Sequence, residues 1–328
     1  MHGWIVVDKP VGPGSTRIVS AVKRALRDGG YPKLKVGHGG TLDPLASGVL
    51  PVAIGEATKL AGRMLGAEKV YEFTIRFGEE TDTLDAQGEV VARSDLRPAV
   101  AAVEAVLARF TGEIDQVPPV YSALKVEGKR AYALARAGQA VATIKSRRVM
   151  IRSLSVKEQE DPHPDLLPQA GEGALPAPPE PSPACGRGLG EGLLSSVTLT
   201  ARVSKGTYIR SLARDIAHAL DTAGHVTMLR RTKAGPFGLE SAISLDKLAD
   251  AAKARSLEQH LLPLAAGLDD IPALPVTPDQ AGALRQGRVL IGIAAQPGLH
   301  LAISGEMPVA LVELGEDGLR VVRGFNLE

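Results

Sequence analysis

Apolar positions along this chain follow two periods. Ile18, Val19, Val22, Ala25 and Leu26 share one face at helical spacing, with Ser15 or Thr16 placed to cap the start and Gly29-Gly30 to end it. A second helix is expected in RPAVAAVEAVLARF, with Pro98 near its start and Val100, Val103, Val106, Leu107 and Phe110 on one side, and a third in YIRSLARDIAHAL. Strand periodicity marks VYEFTIRFG, and the unbroken apolar run VLPVAIG reads as a buried strand. Val149, Ile151 and Leu154 alternate, as do Val197, Leu199 and Ala201. From about residue 267 the character changes. RVLIGIA, LHLAISG, PVALVEL and LRVVRGFN read as short strands with turn signals between them, including Glu316-Asp317-Gly318, so a small β-barrel is expected there.

Residues 158–195 fit neither period. Pro, Gly and Ala dominate, and seven acids face one Arg. A segment of this kind buries too little apolar surface to offset its ordering entropy, so it reads as a disordered insertion between two strands. Cys185 lies within it and is the only cysteine, which excludes an internal disulfide and argues against a catalytic thiol.

Composition narrows the class only modestly. The 328 residues suffice for about two domains. Hydrophobic residues make up 44%, enough for a substantial core. No apolar run approaches the roughly 20 residues of a membrane span, and MHGWIVVDKP lacks a secretory pattern, so a cytoplasmic protein is expected. The net charge of +1 does not suggest a nucleic-acid partner, but its distribution does. Residues 120–152 carry eight Lys or Arg against one acid, and 196–240 carry seven against three. Screening over about 8 Å lets such patches act locally, so Lys125, Lys129, Arg130, Arg147 and Arg148 form a candidate phosphate-contacting face.

The most informative chemistry lies in GHGGTLDPLASGVLPVAIGEATKL. Asp43 sits in a loop of small residues, and Pro44 biases it away from helical backbone. A lone acid displayed on a rigid turn suits a nucleophile or a general base. A bare Asp-Pro is more often an ordinary turn, but the whole string is far more specific. No phosphate loop, dinucleotide fingerprint, Cys-x-x-Cys or H-E-x-x-H is present, and none of the seven His is spaced as a metal pair. Asp82 and Asp85, in TDTLD, read as turn residues near a bound partner rather than as metal ligands.

Several separated strings, in order, resemble the TruB family of bacterial tRNA pseudouridine-55 synthases: WIVVDKPVGPGST, the Asp43 string, KVYEFTIRFGEETDTLDAQG, QVPPVYSALKVEGKRAYALARAG, VSKGTYIRSLARDIAHAL and GHVTMLRRTKAGPF. Together they cover most of residues 1–245. The resemblance implies an α+β catalytic domain at 1–245 on a mixed, mainly antiparallel sheet. It implies a connecting helical segment at 246–266 and a PUA-like RNA-binding β domain at 267–328. The family joins the strands around 158–195 by a short turn, so the insertion of about 35 residues is a departure, but it lies outside the catalytic strings.

The implied reaction is isomerisation of uridine 55 in the tRNA T-loop to pseudouridine, which is redox-neutral and needs no cofactor or metal. By resemblance Asp43 is the nucleophile, Tyr71 stacks on the target uracil and takes its C5 proton, and Arg210 pairs with Asp43. His38 occupies the place of a displaced base. Tyr208, Leu229 and Lys205 line the pocket, and Lys9 supports the catalytic loop or contacts substrate. The T-arm of tRNA is the expected partner, with no membrane, no obligatory protein partner and a monomeric chain. Two other classes compete. One is a tRNA-binding or folding protein without catalysis. The other is an Asp-nucleophile phosphatase, which needs a D-x-D pair that Asp43-Pro44-Leu45 does not supply.

Overall fold

The computed structural model describes residues 1–122, 124–126, 129–130, 144–157 and 193–327, with backbone alone at 125–126 and 129–130. In chain order the strands are β1 (Gly3–Lys9), β2 (Val36–His38), β3 (Ser47–Ile54), β4 (Lys69–Phe77), β5 (Glu79–Thr81), β6 (Val90–Arg93) and β7 (Gly112–Gln116). They continue with β8 (Lys125–Val126), β9 (Lys129–Arg130), β10 (Arg147–Val156), β11 (Ser196–Val203), β12 (Gly224–Ala234), β13 (Phe237–Gly238), β14 (Ala242–Ile243) and β15 (Leu262–Pro263). The last four are β16 (Ala273–Pro275), β17 (Gly298–Ser304), β18 (Met307–Gly315) and β19 (Gly318–Gly324). The α-helices are α1 (Ser15–Asp28), α2 (Ala61–Gly66), α3 (Val100–Leu107), α4 (Ile209–Ala219), α5 (Leu245–Lys253) and α6 (Pro278–Arg285).

The main sheet runs β14-β1-β3-β12-β4-β11-β10-β7, with β2 beside β3, β13 beside β12 and β15 beside β1. The β1–β14 and β3–β12 pairs are parallel and the others antiparallel, which makes it the mixed, mainly antiparallel sheet of the expected α+β fold. Both faces are covered. Phe73, Ile75, Leu199 and Val226 pack against Val103 of α3 and Leu212 and Ile216 of α4. Ile5, Val7, Leu50 and Val52 pack against Ile18 and Val22 of α1 and Leu248 of α5. Chains flanking the insertion pair as β10 and β11, with Ile151 opposite Val203 and Val156 opposite Leu199. Of the insertion expected at 158–195, residues 158–192, Cys185 among them, lie outside the described residues, whereas its last three residues are hydrogen-bonded to the body: Leu193 bridges Ala99, the Leu194 N–H donates to the Pro98 carbonyl, and the Ser195 carbonyl accepts from the Phe77 N–H.

Three expectations need correction. Ser15 and Thr16 do not cap α1. Gly14 is the N-cap residue, and the Ser15 hydroxyl bonds instead to the backbone of Leu42. Val100 is 41% exposed, because α3 begins there and only Val103, Val106 and Leu107 reach the core. Among the described residues the C-terminal unit is an open four-stranded sheet, β16-β17-β18-β19, rather than a closed barrel. RVLIGIA supplies no ladder. Leu290 makes one isolated bridge to Leu319, the backbone turns at Gly287 and Gly292 with positive φ, and Ile291 is 76% exposed. The alternation there cannot lie along β19. Instead α6 packs on β17 and β18, with Ala281 and Leu284 against Ala302 and Ala310.

A further cluster joins the two sheets. Trp4, Val49, Ala53 and Phe237 meet Leu264, Leu301, Leu311 and Phe325. Lys59 Nζ donates to the Gly324 carbonyl, and the Asn326 N–H donates to Glu56.

Candidate active site

Three segments converge on Asp43. The loop between β2 and β3 carries it, the turn between β5 and β6 carries Asp85, and the first turn of α4 carries Arg210. Leu42 and Ala46 are buried in the core against α4 and anchor the loop on either side of the acid.

The loop is also held from below by β1 and the segment after it. Ser15 Oγ donates to the Leu42 carbonyl at 3.0 Å and accepts from the Leu42 N–H at 2.8 Å. The Pro44 carbonyl accepts from the Gly12 N–H at 2.8 Å and from Lys9 Nζ at 3.3 Å. Lys9 also donates to the carbonyls of Pro10 and Pro13. Its side chain is fully buried and lines neither of the two cavities beside Asp43. Burial lowers its pKa to about 8, against a raising influence of Asp43 and a further lowering by Arg231.

Arg210 is 5% exposed and bridges two carboxylates. Nη2 donates to Asp43 Oδ2 at 3.0 Å and to the Tyr121 carbonyl, and Nη1 donates to Asp85 Oδ2 at 3.1 Å and to the Thr83 carbonyl. The Asp43 side chain keeps 37% of its surface exposed, so one carboxylate face remains available to a ligand. Asp85 lies in a turn, as expected, but faces inward. It is 2% exposed, and its Oδ1 accepts from Thr83 Oγ1 and the Gln87 N–H. Between Thr83 and Asp85, Leu84 takes φ 61°, a left-handed conformation that costs a non-glycine residue about 1–2 kcal/mol. That turn presents both the Thr83 carbonyl and the Asp85 carboxylate to one guanidinium. The pairing of Arg210 with Asp43 is as expected, while the role of Asp85 was missed. TDTLD showed an acid-rich turn but not which acid faced inward.

Asp43 lies on the wall shared by two cavities. One, of about 350 Å³, is lined among others by Tyr71, Leu229, Tyr208 and Ile209. The other, of about 660 Å³, is lined by His38, Thr16, Gln87 and Tyr121 and also touches Asp85 and Arg210. Tyr71 and Leu229 reach the same cavity through strand register. Tyr71 of β4 sits opposite Arg231 of β12, and Phe73 sits opposite Leu229. Bulges between Val226 and Met228 and between Arg231 and Lys233 set this alignment. On its other side β12 runs parallel to β3 at Gly48, where φ is +103° and a Cβ would lie 2.1 Å from the Arg231 carbonyl oxygen. Only glycine fits that close approach.

Tyr208 precedes α4, and its backbone is fixed reciprocally by the buried Gln116. The Tyr208 N–H donates to Oε1 and the Tyr208 carbonyl accepts from Nε2. Burial raises the pKa of the Tyr208 phenol. Arg147 lies over its ring, 5.5 Å from the centroid. Arg148 is exposed near Glu113, and Lys205 is exposed at the cavity rim. The side chains of Lys125, Lys129 and Arg130 lie outside the described residues. His38 accepts from the Gly40 N–H through Nδ1 at 3.4 Å, and burial followed by the charge of Arg231 lowers its pKa, which favours the neutral ring. Among the described residues no cluster of His, Cys, Asp and Glu fits a metal ion. No helix there is long and apolar enough to cross a membrane.

Two family models match this chain. Residues 27–174 match the TruB family pseudouridylate synthase N-terminal domain, and 210–269 match the tRNA pseudouridylate synthase B C-terminal domain. A relative from Novosphingobium aromaticivorans named tRNA pseudouridine synthase B is 57% identical over all of this chain and 98% of its own. One of the same name from Zymomonas mobilis is 56% identical over 99% of this chain and 96% of its own. Among solved structures, a Cbf5-Nop10-Gar1 complex aligns with TM-score 0.65 and 27% identity, covering 95% of this chain and 78% of that one. An H/ACA RNP bound to a substrate RNA containing 2′-deoxyuridine shares the fold, with TM-score 0.67 at 24% identity over 99% of this chain and 85% of that one. A match of this extent, on a sheet that brings Asp43, Tyr71 and Arg210 to one cavity, leaves one assignment: the chain belongs to the TruB family of pseudouridine synthases.

Proposed function

We propose that this enzyme isomerises uridine 55 in the T-loop of tRNA to pseudouridine, with Asp43 as nucleophile. The observation that carries the reading is the position of Asp43, held by a buried guanidinium at the wall of a cavity lined by Tyr71, Tyr208 and Leu229. In the reaction the N1–C1′ bond breaks, the uracil turns, a C5–C1′ bond forms, C5 gives up its proton and N1 takes one up. No electron carrier enters that balance. The target base must leave its stack at a cost of a few kcal/mol, and an aromatic face returns about 1–3 kcal/mol.

In this reading Tyr71 stacks on the uracil and takes the C5 proton, while Tyr208 and Leu229 close the pocket. Arg210 keeps the Asp43 carboxylate aimed. His38, in the second cavity, takes the place of the displaced base. Lys205, Arg147 and Arg148 meet the RNA backbone, and Lys9 acts through the loop it supports. The T-arm is the partner, and the chain works as a cytoplasmic monomer. The competing reading, a tRNA-binding protein without catalysis, predicts no exchange at C5. The test is tritium release from [5-³H]uridine-labelled tRNA. Wild type should release tritium, and Asp43→Asn, which keeps the shape and removes the ionised oxygen, should bind tRNA without releasing it. Turnover of Asp43→Asn within about tenfold of wild type would remove Asp43 from the nucleophile's role.

A further inference from the structure

The cations around the Asp43 cavity fall into two groups. On one side they are matched by acids: Arg210 holds Asp43 and Asp85, and Arg230 grips Asp8 with both Nη atoms, at 3.1 and 2.8 Å. On the other side stand Arg231, Lys69 and Lys205, all lining the cavity, and none pairs with a carboxylate among the described residues.

Arg231 is 1% exposed. Its Nε donates to the Val49 carbonyl at 2.8 Å and its Nη1 to the Thr41 carbonyl at 3.2 Å, but the buried Nη2 has no hydrogen-bond partner among the described residues. Lys69 is also buried, and its three donors are used on the carbonyls of Met64, Leu65 and Ala67. Lys205 is exposed at the rim, and its ammonium makes no hydrogen bond or ion pair with the described residues. The three charges lie close enough to repel. The pKa of Lys69 is lowered to about 8, first by burial and then by Arg231 and Lys205. A buried guanidinium with an idle N–H and two cationic neighbours is a costly arrangement unless an anion completes it.

The surroundings indicate which anion. Lys205, Gly206 and Leu65 line both this cavity and a shallow groove that continues past Lys145, Arg147 and Arg148. Of the three unmatched cations, Lys205 stands where the aromatic cavity opens onto this basic groove, while Lys69 and Arg231 form part of the cavity wall behind it. A nucleotide entering base-first brings its backbone to that mouth.

We propose that Arg231 and Lys205 bind the phosphodiester adjoining the target nucleoside, with Arg231 Nη2 donating to a non-bridging oxygen. Lys69 acts through its field alone, since its donors are occupied. The inference rests on the reading of the cavity as the uridine site. It assigns Arg231, a residue that the sequence did not single out, as a substrate-binding group.

The test uses a T-arm stem-loop RNA in which the phosphate on either side of the target uridine is replaced in turn by an uncharged methylphosphonate. Binding and single-turnover tritium release are measured for wild type, Arg231→Lys and Lys205→Ala. Replacement at one of the two positions should weaken wild-type binding about tenfold or more, as expected for a charge-assisted hydrogen bond. The same replacement should cost clearly less in Arg231→Lys and in Lys205→Ala. The Lys205 change is at an exposed side chain and leaves the fold intact, and the wild-type arm needs no variant at all. Binding within twofold of the all-phosphate RNA at both positions would overturn the proposal, as would a loss undiminished in both variants. Wild-type conversion of the unmodified stem-loop is followed in parallel. Conversion without methylphosphonate sensitivity sinks this proposal alone, whereas no conversion sinks the reading of the cavity on which it rests.

Discussion

Arg210→Lys tests the idea that one guanidinium aims Asp43, the proposed nucleophile. Arg210 makes four hydrogen bonds, two from Nη2 to Asp43 and Tyr121 and two from Nη1 to Asp85 and Thr83. A lysine presents its donors from one point and cannot serve both carboxylates with the same planar geometry. The Asp85 side chain is 3% exposed, so an ammonium placed here stays with the buried acid and leaves Asp43 free to turn. Asp85 itself keeps Thr83 Oγ1 and the Gln87 N–H, which limits the damage. Losing two charge-assisted bonds is expected to cost about 3–6 kcal/mol of stability. A carboxylate misplaced by about 1 Å is expected to cost about a hundredfold in the bound-complex rate. The assay is single-turnover tritium release at saturating enzyme, with tRNA affinity measured separately and denaturation followed in urea. Affinity should stay near wild type while the rate falls. Asp85→Asn keeps the shape and still accepts from Nη1, so its rate should fall less. A rate for Arg210→Lys within about threefold of wild type would refute the aiming role, because the guanidinium geometry would then be dispensable.

Three further outcomes follow from the same geometry. Tyr71→Phe retains the aromatic face and loses the phenol, so tRNA affinity should persist while tritium release drops sharply; unchanged single-turnover release would deny the hydroxyl a part in proton removal. Ser15→Ala removes both bonds to Leu42 and should cost about 1–3 kcal/mol of stability and slow turnover at unchanged tRNA affinity, whereas unaltered urea unfolding and turnover would show that the loop holds without it. Lys9 has a folded-state pKa of about 8 against an ordinary value near 10.5, so between those pH values the unfolded chain binds more protons and stability rises with pH on this group's account. Wild type should accordingly gain up to about 3 kcal/mol relative to Lys9→Met between pH 8 and 10.5, while below pH 8 the difference stays flat. Parallel stability curves for the two proteins across that window would mean that the buried ammonium is not destabilised.

What was legible in the sequence was what depends on neighbours along the chain. The faces of α1 and α4, the alternation of β4 and the buried run of β3 follow from local period, and each formed close to where the pattern placed it. Asp43 was legible because a whole string surrounds it. The supporting partners were not, since their meaning depends on contacts between distant positions. Arg210 meets Asp85 across 125 residues, and Gln116 meets Tyr208 across 92. Nothing near TDTLD says that the second acid turns inward, because that orientation follows from the left-handed Leu84 and from β12 pairing beside it at Val226. Arg231 shows the same blindness from the other side. In LRRT two adjacent arginines look equivalent, yet strand alternation sends Arg230 to Asp8 and Arg231 into the Tyr71 cavity. The bulge at Met228 decides which of them goes inward, and a bulge leaves no trace in a period-2 pattern. The failed barrel has the same origin. RVLIGIA alternates well enough for a strand, but Gly287 and Gly292 turn the backbone away from β19 after one bridge. Local pattern therefore predicts which segments are able to pair, while bulges, left-handed residues and buried charge pairs decide which of their side chains reach the site. The chemistry here depends on that second layer, because one inverted register at β12 would exchange the guanidinium at the cavity for the one that grips Asp8.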